Sequence, residues 1–340
     1  MKKQLYIKLI LLIIVGLTLF PLNKLFLRKS LSEPFNNQAR INSLYDLPKN
    51  SVDIVFVGSS HAYTSINPNT IYRNTKIKSF VMASQQQSLQ MSYYHIEETL
   101  RVQNPKVIVL NTYMLNRDYE YNEAIARDAI EYMKPSFNKL DMIFNVVPNS
   151  DTPSFVLPFL KYHSRWDSLE KIDYNLVWNT PSSSTLGFVP LDQSKTQTPV
   201  KNTLPTATSY NEVIEAKDLY YINKIKTLLD KNGVQLIMYN APYEIDDKSS
   251  ISTNALELYA KENNLKFVDY SKTPELFNFD YEVDYYDAGH LNKFGAEKFT
   301  KVFTKEIEIM LGNSVDFNKQ GHEYFDTTLQ EYEQTYEALE

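Results

Sequence analysis

Ser60 is the first residue of this sequence whose context suits covalent catalysis. It lies in the segment 57–62, VGSSHA, directly after an apolar, β-branched run. Gly58 permits a tight strand-to-helix turn, which would expose the serine at the carboxyl edge of a sheet, where free helix N–H groups can bind an oxyanion. A serine in this position can also simply cap a helix, and Ala62 departs from the Gly-x-Ser-x-Gly nucleophile pattern. Ser60 is therefore a candidate nucleophile that requires a base.

Only one of the five histidines has the sequence context of a catalytic base. His290 follows Asp287 by three residues in a polar, turn-forming segment just before the last predicted helix. This spacing lets the carboxylate reach one ring nitrogen, which fixes the tautomer and leaves the other nitrogen free to deprotonate a hydroxyl. An Asp–His pair that only satisfies a loop is the alternative. His61 adjoins Ser60 in sequence, so we expect its side chain to point elsewhere. The prediction is acyl transfer through Ser60, His290 and Asp287.

Five apolar runs alternate with helical patterns along the body of the chain. The runs cover residues 51–58, 78–83, 106–110, 234–239 and 265–270, and the helical patterns cover residues 89–102, 214–232, 254–263 and 293–310. Strands that alternate with helices predict an α/β three-layer sandwich, in which a parallel sheet is covered on both faces. Ligands bind such sheets at the carboxyl ends of the strands, and Ser60 follows the first of these ends.

The predicted third and fourth strands are separated by a long insertion, residues 112–212. Its second half, residues 179–209, is rich in Ser, Thr, Pro, Asn and Gln. A segment this long over the strand ends is typical of a lid or a binding element, and a disordered surface insertion is the alternative. Within it, Trp166 offers a stacking face and Arg165 a fork for anionic groups, so these residues and His163 are carbohydrate-binding candidates. An aromatic packed in the core beside a solvated arginine fits the same pattern.

Composition and charge limit the classes of partner. The 340 residues include 35 Lys and Arg against 41 Asp and Glu, a formal net charge of −6, and 43% are hydrophobic. This composition is globular, and the acidic balance argues against nucleic acid as the main partner. Because there is no cysteine, disulfides, thiolate zinc sites and cysteine nucleophiles are excluded. We predict no metal and no cofactor.

The first 30 residues are basic, contain no acidic residue and surround an apolar run. With its flanks, residues 5–27, the run would span about 34 Å as a helix, which is enough for a bilayer. No small-x-small cleavage site follows it, so an uncleaved signal anchor is favoured over a cleaved signal peptide. Lysines on both sides leave its orientation open. We therefore predict a transmembrane helix within residues 1–30 and a linker over residues 31–50.

The chain ends in an acidic tail, residues 313–340. Within it, Leu329, Tyr332, Tyr336 and Leu339 recur three or four residues apart, as on one face of a short amphipathic helix. A helix this short does not persist alone in water, so we expect it to dock on the body of the protein or on a partner.

Two short blocks resemble the SGNH/GDSL hydrolase superfamily. Residues 58–61, GSSH, are similar to its first block, with Ser59 in place of an Asp, and residues 287–290, DAGH, match its Asp-x-x-His block. The resemblance implies a flavodoxin-like SGNH fold with a five-stranded parallel sheet over residues 51–312. The family's middle blocks supply oxyanion donors from a Gly and an Asn, whereas residues 83–87, ASQQQ, contain neither. The remaining oxyanion candidates are Ser84, Gln86 and Asn111.

Two further segments resemble a membrane-anchored branch of that superfamily. Residues 84–94, SQQQSLQMSYY, and 160–166, LKYHSRW, are similar to the D-alanyl transfer protein of teichoic acid modification and to alginate O-acetylation proteins. The resemblance implies a single-pass membrane protein with a cytoplasmic N-terminus and its catalytic domain outside the cytoplasm. It also implies acyl transfer, with acetyl as the expected group, to a cell-surface polysaccharide or teichoic-acid-like polymer beside a membrane-bound O-acyltransferase. A secreted carbohydrate esterase and a non-catalytic polymer-binding scaffold are the alternatives.

Overall fold

The computed structural model describes residues 2–29, 35–117, 120–197, 205, 207, 209–312, 315–317 and 321–337. The other positions fall mainly in the predicted linker, insertion and tail. They include Leu339, the last residue of the predicted tail stripe, which therefore lies outside the described residues.

A five-stranded parallel sheet lies at the centre of the fold, as the alternating pattern predicts. Its strands are β1 Ile54–Gly58, β2 Ser79–Ala83, β3 Val107–Asn111, β4 Gln235–Asn240 and β5 Lys266–Asp269. Their spatial order is β2-β1-β3-β4-β5, and every neighbouring pair is parallel. The first three strands are buried along their whole length, so they read as continuous apolar runs instead of alternating ones.

Helices cover both faces of this sheet and fill the insertion. The α-helices are α1 Lys2–Phe26, α2 Asn37–Asp46, α3 Ser60–Tyr63, α4 Pro68–Thr75, α5 Leu89–Val102, α6 Glu123–Ile130, α7 Phe137–Val146, α8 Thr152–Val156, α9 Phe159–Tyr162, α10 Lys171–Trp178, α11 Ala216–Asn232, α12 Asp247–Glu262, α13 Lys293–Leu311 and α14 His322–Tyr332. Short 3₁₀ segments lie at His163–Asp167, Tyr270–Lys272 and Pro274–Phe277, and a π-helical turn lies at Glu333–Glu337.

Alternate residues of each strand enter two separate hydrophobic cores. Val55 and Val57 of β1 join the core that holds α5, α11 and α12. Ile54 and Phe56 point the other way and pack in the core that holds α13, where Phe299 is fully buried. This period of two places helices on both faces, which is the predicted three-layer arrangement.

The strand order sets the location of the functional edge. An order of 2-1-3-4-5 is the flavodoxin-like arrangement, in which the chain reverses its direction of travel between β1 and β3. Ligands bind in the crevice outside the carboxyl ends of the strands at such a reversal. Here those ends are Gly58 of β1 and Asn111 of β3, so the crevice lies directly in front of Ser60.

The described part of the insertion is ordered where sequence composition left a disordered loop as an alternative. After α10 the chain returns along the edge strand, where the Val81 amide of β2 donates to the Leu186 carbonyl at 2.9 Å. A Cβ on Gly187 would lie 2.0 Å from the Val81 carbonyl oxygen, and Gly187 has a φ of +93°, so only glycine fits here. Phe188 and Val189 are then fully buried.

α1 packs its carboxyl end against the insertion. The Phe26 and Phe159 rings meet edge to face with centroids 5.1 Å apart, and the Phe159 amide donates to Asn23 Oδ1 at 3.0 Å. Within the described ranges, no helix is long and apolar enough to span a membrane, so the predicted transmembrane helix of residues 1–30 finds no support here.

The acidic tail forms α14 and docks on the body of the protein, against α4. Tyr332 is buried, and the Asn67 side-chain amide donates to its hydroxyl at 3.0 Å. Arg73 of α4 forms ion pairs with Glu333 at 3.0 Å and with Glu337 at 2.6 Å. The apolar stripe therefore faces a helix of this chain.

Replacing Arg73 with Ala should loosen this docked tail. One guanidinium holds two carboxylates of the tail in a partly buried network, so we expect a loss of about 1 kcal/mol in the free energy of unfolding. Urea denaturation of the variant measures it. Lys226→Ala is the matched control, because it removes a single exposed pair with Asp230 and should cost only about 0.3–0.5 kcal/mol. Equal losses in both variants would contradict a tail held by Arg73.

Candidate active site

Ser60 begins α3, immediately beyond the carboxyl end of β1. The turn is tight because β1 and β3 approach each other closely there. A Cβ on Gly58 would fall 2.6 Å from the Cβ of Asn111, so a larger residue would push the two strand ends apart. As the first residue of a helix, Ser60 also carries an amide with no partner inside that helix. The sequence signal for this turn, a glycine after an apolar run, thus has a direct steric cause.

The structure brings Ser60, His290 and Asp287 together in one hydrogen-bonded row. His290 Nε2 lies 2.9 Å from Ser60 Oγ, and His290 Nδ1 lies 2.8 Å from Asp287 Oδ1. The serine and the histidine are 230 positions apart in the chain. This is the arrangement in which a carboxylate orients an imidazole so that its far nitrogen accepts a hydroxyl proton.

Asp287 is held in its ionised form. Burial alone would raise the pKa of this carboxyl, but hydrogen bonds from the His290 ring and from the Gly289 and His290 amides lower it below its ordinary value. The Gly289 amide donates to Oδ1 at 2.8 Å. An ionised carboxylate at this position can stabilise an imidazolium when His290 takes up a proton.

The loop that carries the base is fixed at several points along its backbone. The Tyr286 amide donates to the His290 carbonyl at 2.9 Å, and the Glu244 amide donates to the Ala288 carbonyl at 2.8 Å. Asn292 then caps α13 by accepting hydrogen bonds from the Phe294 and Gly295 amides. The imidazole is therefore presented by a rigid loop, which is what a preorganised base requires.

An aromatic cluster that sequence reasoning did not find lies beside His290. His61, Tyr113 and Tyr243 are its members, and the His61 ring stacks on Tyr113 with centroids 3.3 Å apart. His61 lies 4.8 Å from the His290 ring, contrary to the expectation that it points away from the site. Burial, and then the nearby His290 and Arg117, lower the pKa of His61 well below its ordinary value, so it stays neutral. The sequence feature that could have indicated this cluster is Tyr113, an aromatic residue two positions beyond the end of β3.

The three oxyanion candidates occupy different environments. Ser84 is committed elsewhere, since its hydroxyl donates to Gln87 Oε1 at 2.9 Å and its amide donates to the Gly58 carbonyl at 3.4 Å. Gln86 is exposed and has a φ of +47°. Asn111 is buried, and its Nδ2 donor makes no hydrogen bond of ordinary length among the described residues, although the Tyr239 hydroxyl of the neighbouring strand faces it. A buried unpaired amide at the end of β3 is costly, so Asn111 is the member of this set suited to donate to a substrate oxygen.

The carbohydrate-binding prediction for the insertion needs a correction at Arg165. Its Nη1 donates to the carbonyls of Phe26 and Leu27 at 2.9 and 2.8 Å, and its Nη2 pairs with Asp173 at 2.9 Å. The guanidinium therefore caps the carboxyl end of α1 and is not free for an anionic substrate. Trp166 lies in the same 3₁₀ segment as Arg165, and its side chain is 72% exposed. His163 Nδ1 is hydrogen-bonded to the Leu160 carbonyl oxygen. The structure does not place these three residues beside the Ser60–His290–Asp287 row.

Comparison with known proteins finds similarity only at the level of solved structures. No protein-family profile matches the chain, and no curated protein sequence matches it. A proposed acylhydrolase from Bacteroides fragilis NCTC 9343 shares 12% identity over 84% of this chain and 100% of its own, with a TM-score of 0.41. A GDSL-like lipase from Bacteroides thetaiotaomicron VPI-5482 shares 11% over 81% and 98%, with a TM-score of 0.37. A family two carbohydrate esterase from Clostridium thermocellum shares 10% over 78% and 66%, with a TM-score of 0.36.

The groups present at the site indicate which chemistry it can perform. Among the described residues, no group of three or more His, Asp or Glu side chains could hold a metal ion. What the structure does assemble is a hydroxyl, an imidazole and a carboxylate at a strand-end crevice, with a buried amide donor on the adjacent strand. This combination can form and stabilise an acyl-enzyme.

Asn111→Ala should lower kcat for an activated ester by about 10²–10³-fold, because removal of one oxyanion donor costs that much in comparable sites. KM should change little, since the contact forms only as charge develops on the oxygen. Steady-state kinetics with p-nitrophenyl acetate measures both constants. Asn175→Ala, on the exposed face of α10, is the control and should leave both unchanged. A rise in KM with unchanged kcat would instead make Asn111 a ground-state binding residue.

Proposed function

We propose that this protein is a serine-dependent acyl-transfer enzyme of the SGNH type. The observation that carries the proposal is the continuous row in which His290 bridges Ser60 Oγ at 2.9 Å and Asp287 Oδ1 at 2.8 Å. If the Asp287–His290 pair only stabilised its own loop, the second ring nitrogen of His290 would have no reason to face a serine at the carboxyl edge of the sheet. The assembled row also favours an enzyme over a non-catalytic scaffold.

The reaction follows from the geometry. His290 Nε2 accepts the Ser60 proton while Oγ attacks the acyl carbonyl, and Asp287 stabilises the imidazolium that forms. The Ser60 amide and Asn111 Nδ2 stabilise the oxyanion. Collapse of this intermediate expels the leaving oxygen, which takes the proton from His290 and leaves an ester on Ser60. A second hydroxyl, from water or a sugar, then gives its proton to His290 and attacks that ester, which returns Ser60 to its free form.

We propose that the acyl group is acetyl and that the acceptor is a hydroxyl of a cell-surface polysaccharide or a teichoic-acid-like polymer. Support comes from the sequence resemblance of residues 84–94 and 160–166 to membrane-anchored proteins of polymer acylation. That resemblance also motivates a membrane-bound O-acyltransferase as the partner that supplies the acyl group. A carbohydrate esterase is the second candidate, because hydrolysis and transfer use the same row of residues and differ only in the second hydroxyl.

We further propose that α1 attaches the protein to a membrane and that its catalytic domain lies outside the cytoplasm. The support is the outer surface of α1, where apolar side chains are 47–70% exposed, namely Leu5, Ile7, Ile10, Leu11, Ile14, Val15, Leu17 and Phe20. Such a surface is unfavourable in water and is typical of contact with lipid or another protein. Cell fractionation tests this part: deleting residues 2–22 should move the protein from the membrane to the soluble fraction.

An acyl-enzyme trapping experiment tests the central proposal. The purified full-length protein, mixed with excess p-nitrophenyl acetate, should release a burst of p-nitrophenol equal to the enzyme present. Peptide mass spectrometry should then find acetyl on Ser60. Ser59→Ala is the matched control, because the hydroxyl next to Ser60 makes no hydrogen bond among the described residues, and this variant should keep the label. Labelling of Ser59 in place of Ser60, or no label in the folded protein, would refute the mechanism.

The choice between transfer and hydrolysis needs an acceptor in the same assay. Adding a soluble oligosaccharide of the candidate polymer should speed deacylation and yield acetylated oligosaccharide if the enzyme is a transferase. If acetate is the only product at every acceptor concentration, the enzyme is an esterase, and the assignment of Ser60 still stands.

A further inference from the structure

A second cavity in the described part of the chain is not lined by Ser60, Asp287 or His290. It has a volume of about 720 Å³ and opens between the carboxyl half of α1 and the helices α7, α8 and α10 of the insertion. That volume falls within the range of sites that hold a small organic ligand, roughly 300–1,000 Å³. The proposed acyl transfer gives this cavity no role.

The inner wall of the cavity is mainly apolar. Phe155 and Ile143 are buried in this wall, and further apolar side chains complete it: Leu27, Met133, Leu140, Val156, Pro158 and Leu176. The exposed side chains of Phe20 and Phe137 lie at its rim. Polar side chains, among them Gln38, Asn42 and Asn138, also line the cavity, but apolar residues dominate its wall, which suits a hydrocarbon chain better than a sugar.

Five basic side chains line the same cavity, and four of them form no ion pair with a carboxylate among the described residues: Lys24, Lys29, Lys134 and Lys139. The Lys29 ammonium donates a hydrogen bond to the Lys24 carbonyl, which leaves its positive charge without a carboxylate. Burial, with Arg165 and Lys24 acting in the same direction against the opposing effect of Asp173, lowers the pKa of Lys29 to about 8. An ammonium group in such surroundings is stabilised by an added negative charge.

The remaining polar contacts of the charged groups that line the cavity are made within the protein. Arg101 pairs with Glu98 at 2.6 Å, and Glu131 pairs with Arg127. Lys139 donates to the carbonyls of Glu131 and Met133, both at 2.9 Å. The net unpaired charge of the site is therefore positive.

We propose that this cavity binds one anionic phospholipid, with an acyl chain along the apolar wall and the phosphate at Lys24, Lys29 and Lys134. The charge complementarity selects a phosphate-bearing head group, and the apolar interior selects a lipid over a free phosphate. The site adjoins α1, whose exposed apolar surface we assign to the membrane, so the ligand is at hand. The nearby insertion helices expose Phe137, Phe144 and Trp178 by 93%, 61% and 75%, as expected of aromatic side chains at a lipid interface.

Native mass spectrometry of the full-length protein in a mild detergent tests the site. The probes are dioleoyl phosphatidylglycerol and dioleoyl phosphatidylcholine, which have the same chains and differ in net charge. We expect one retained phosphatidylglycerol per protein and a preference for it on the order of tenfold, the effect of a few lysines on an anionic lipid. Equal retention of both lipids would overturn the role of the lysines.

Two variants separate the head-group contacts from the chain contacts. The double variant Lys29→Gln, Lys134→Gln should abolish the preference for phosphatidylglycerol, while Leu140→Trp should fill the cavity and reduce retention of both lipids. The matched charge control is Lys226→Gln, Lys231→Gln on α11, which does not line the cavity. If this control lowered retention as much as the first variant, binding would be a surface charge effect and the proposed site would be wrong. Turnover of p-nitrophenyl acetate should be unchanged in all variants, so a failure here is distinct from a failure of the catalytic proposal.

Discussion

Ser60→Ala and His290→Ala should each remove nearly all ester turnover, and the double variant should fall no further. The reason is that the hydroxyl and the imidazole act as one unit: without its base Ser60 Oγ is a weak nucleophile, and without Ser60 the base has nothing to activate. We expect each single variant to lose about four to six orders of magnitude in kcat. Initial rates with p-nitrophenyl acetate, corrected for the uncatalysed reaction, provide the measurement.

Stability controls separate lost chemistry from lost folding. Ser60→Ala removes the hydrogen bond between Ser60 Oγ and His290, so the variant should unfold within about 1 kcal/mol of the parent protein. His322→Ala is the matched histidine control, since His322 contacts Tyr72 in the docked tail and should keep full turnover. If the losses in Ser60→Ala and His290→Ala multiplied in the double variant, the two residues would act independently and the row would not be a catalytic unit.

The sheet and the Ser60–His290–Asp287 row could be predicted because their signals are local in sequence. Continuous apolar runs mark strands buried on both faces, and Gly58 marks the turn that a close strand approach demands. The Asp287–His290 spacing places two side chains in contact within one loop. Only the contact between His290 and Ser60 joins residues that are distant in the chain. A parallel sheet brings them together because the carboxyl ends of its strands lie at the same edge.

The features that sequence reasoning missed depend on tertiary packing. The sequence predicts that His61 turns away because it adjoins Ser60, yet its ring stacks on Tyr113, just beyond β3, and meets Tyr243, just beyond β4, edge to face. Arg165 is a residue type that often binds anionic substrates, but here it lies at the carboxyl end of α1. The last carbonyls of that helix have no partners inside it, and Arg165 donates hydrogen bonds to them. Neither contact is marked by a repeating pattern in the sequence, because each joins segments that are distant in the chain and meet only in the folded protein.

Asp287→Asn should lower kcat by about 10⁴-fold while leaving the fold in place. The asparagine amide would donate a hydrogen bond to Nδ1, which forces the proton onto Nε2, and the ring then faces Ser60 with a donor where an acceptor is needed. Asp287→Glu keeps a carboxylate and should recover part of the loss. Single-turnover acetylation of Ser60 measures the step directly. A kcat within tenfold of the parent protein in Asp287→Asn would show that the carboxylate does not set the tautomer.

The same substitution has a pH signature in stability, which follows from the lowered pKa of Asp287. A carboxyl whose pKa is lower in the folded state stabilises the protein above its unfolded pKa, about 3.9 for Asp, and loses this contribution as the pH falls through the folded value. Asn cannot titrate, so the parent protein should be the more stable of the two at pH 7. The difference in melting temperature should shrink as the pH is lowered from 5 to 3. A difference that stayed constant over that range would mean that Asp287 is not held as a carboxylate by His290 and the loop amides, and the row would lack the negative charge that its chemistry requires.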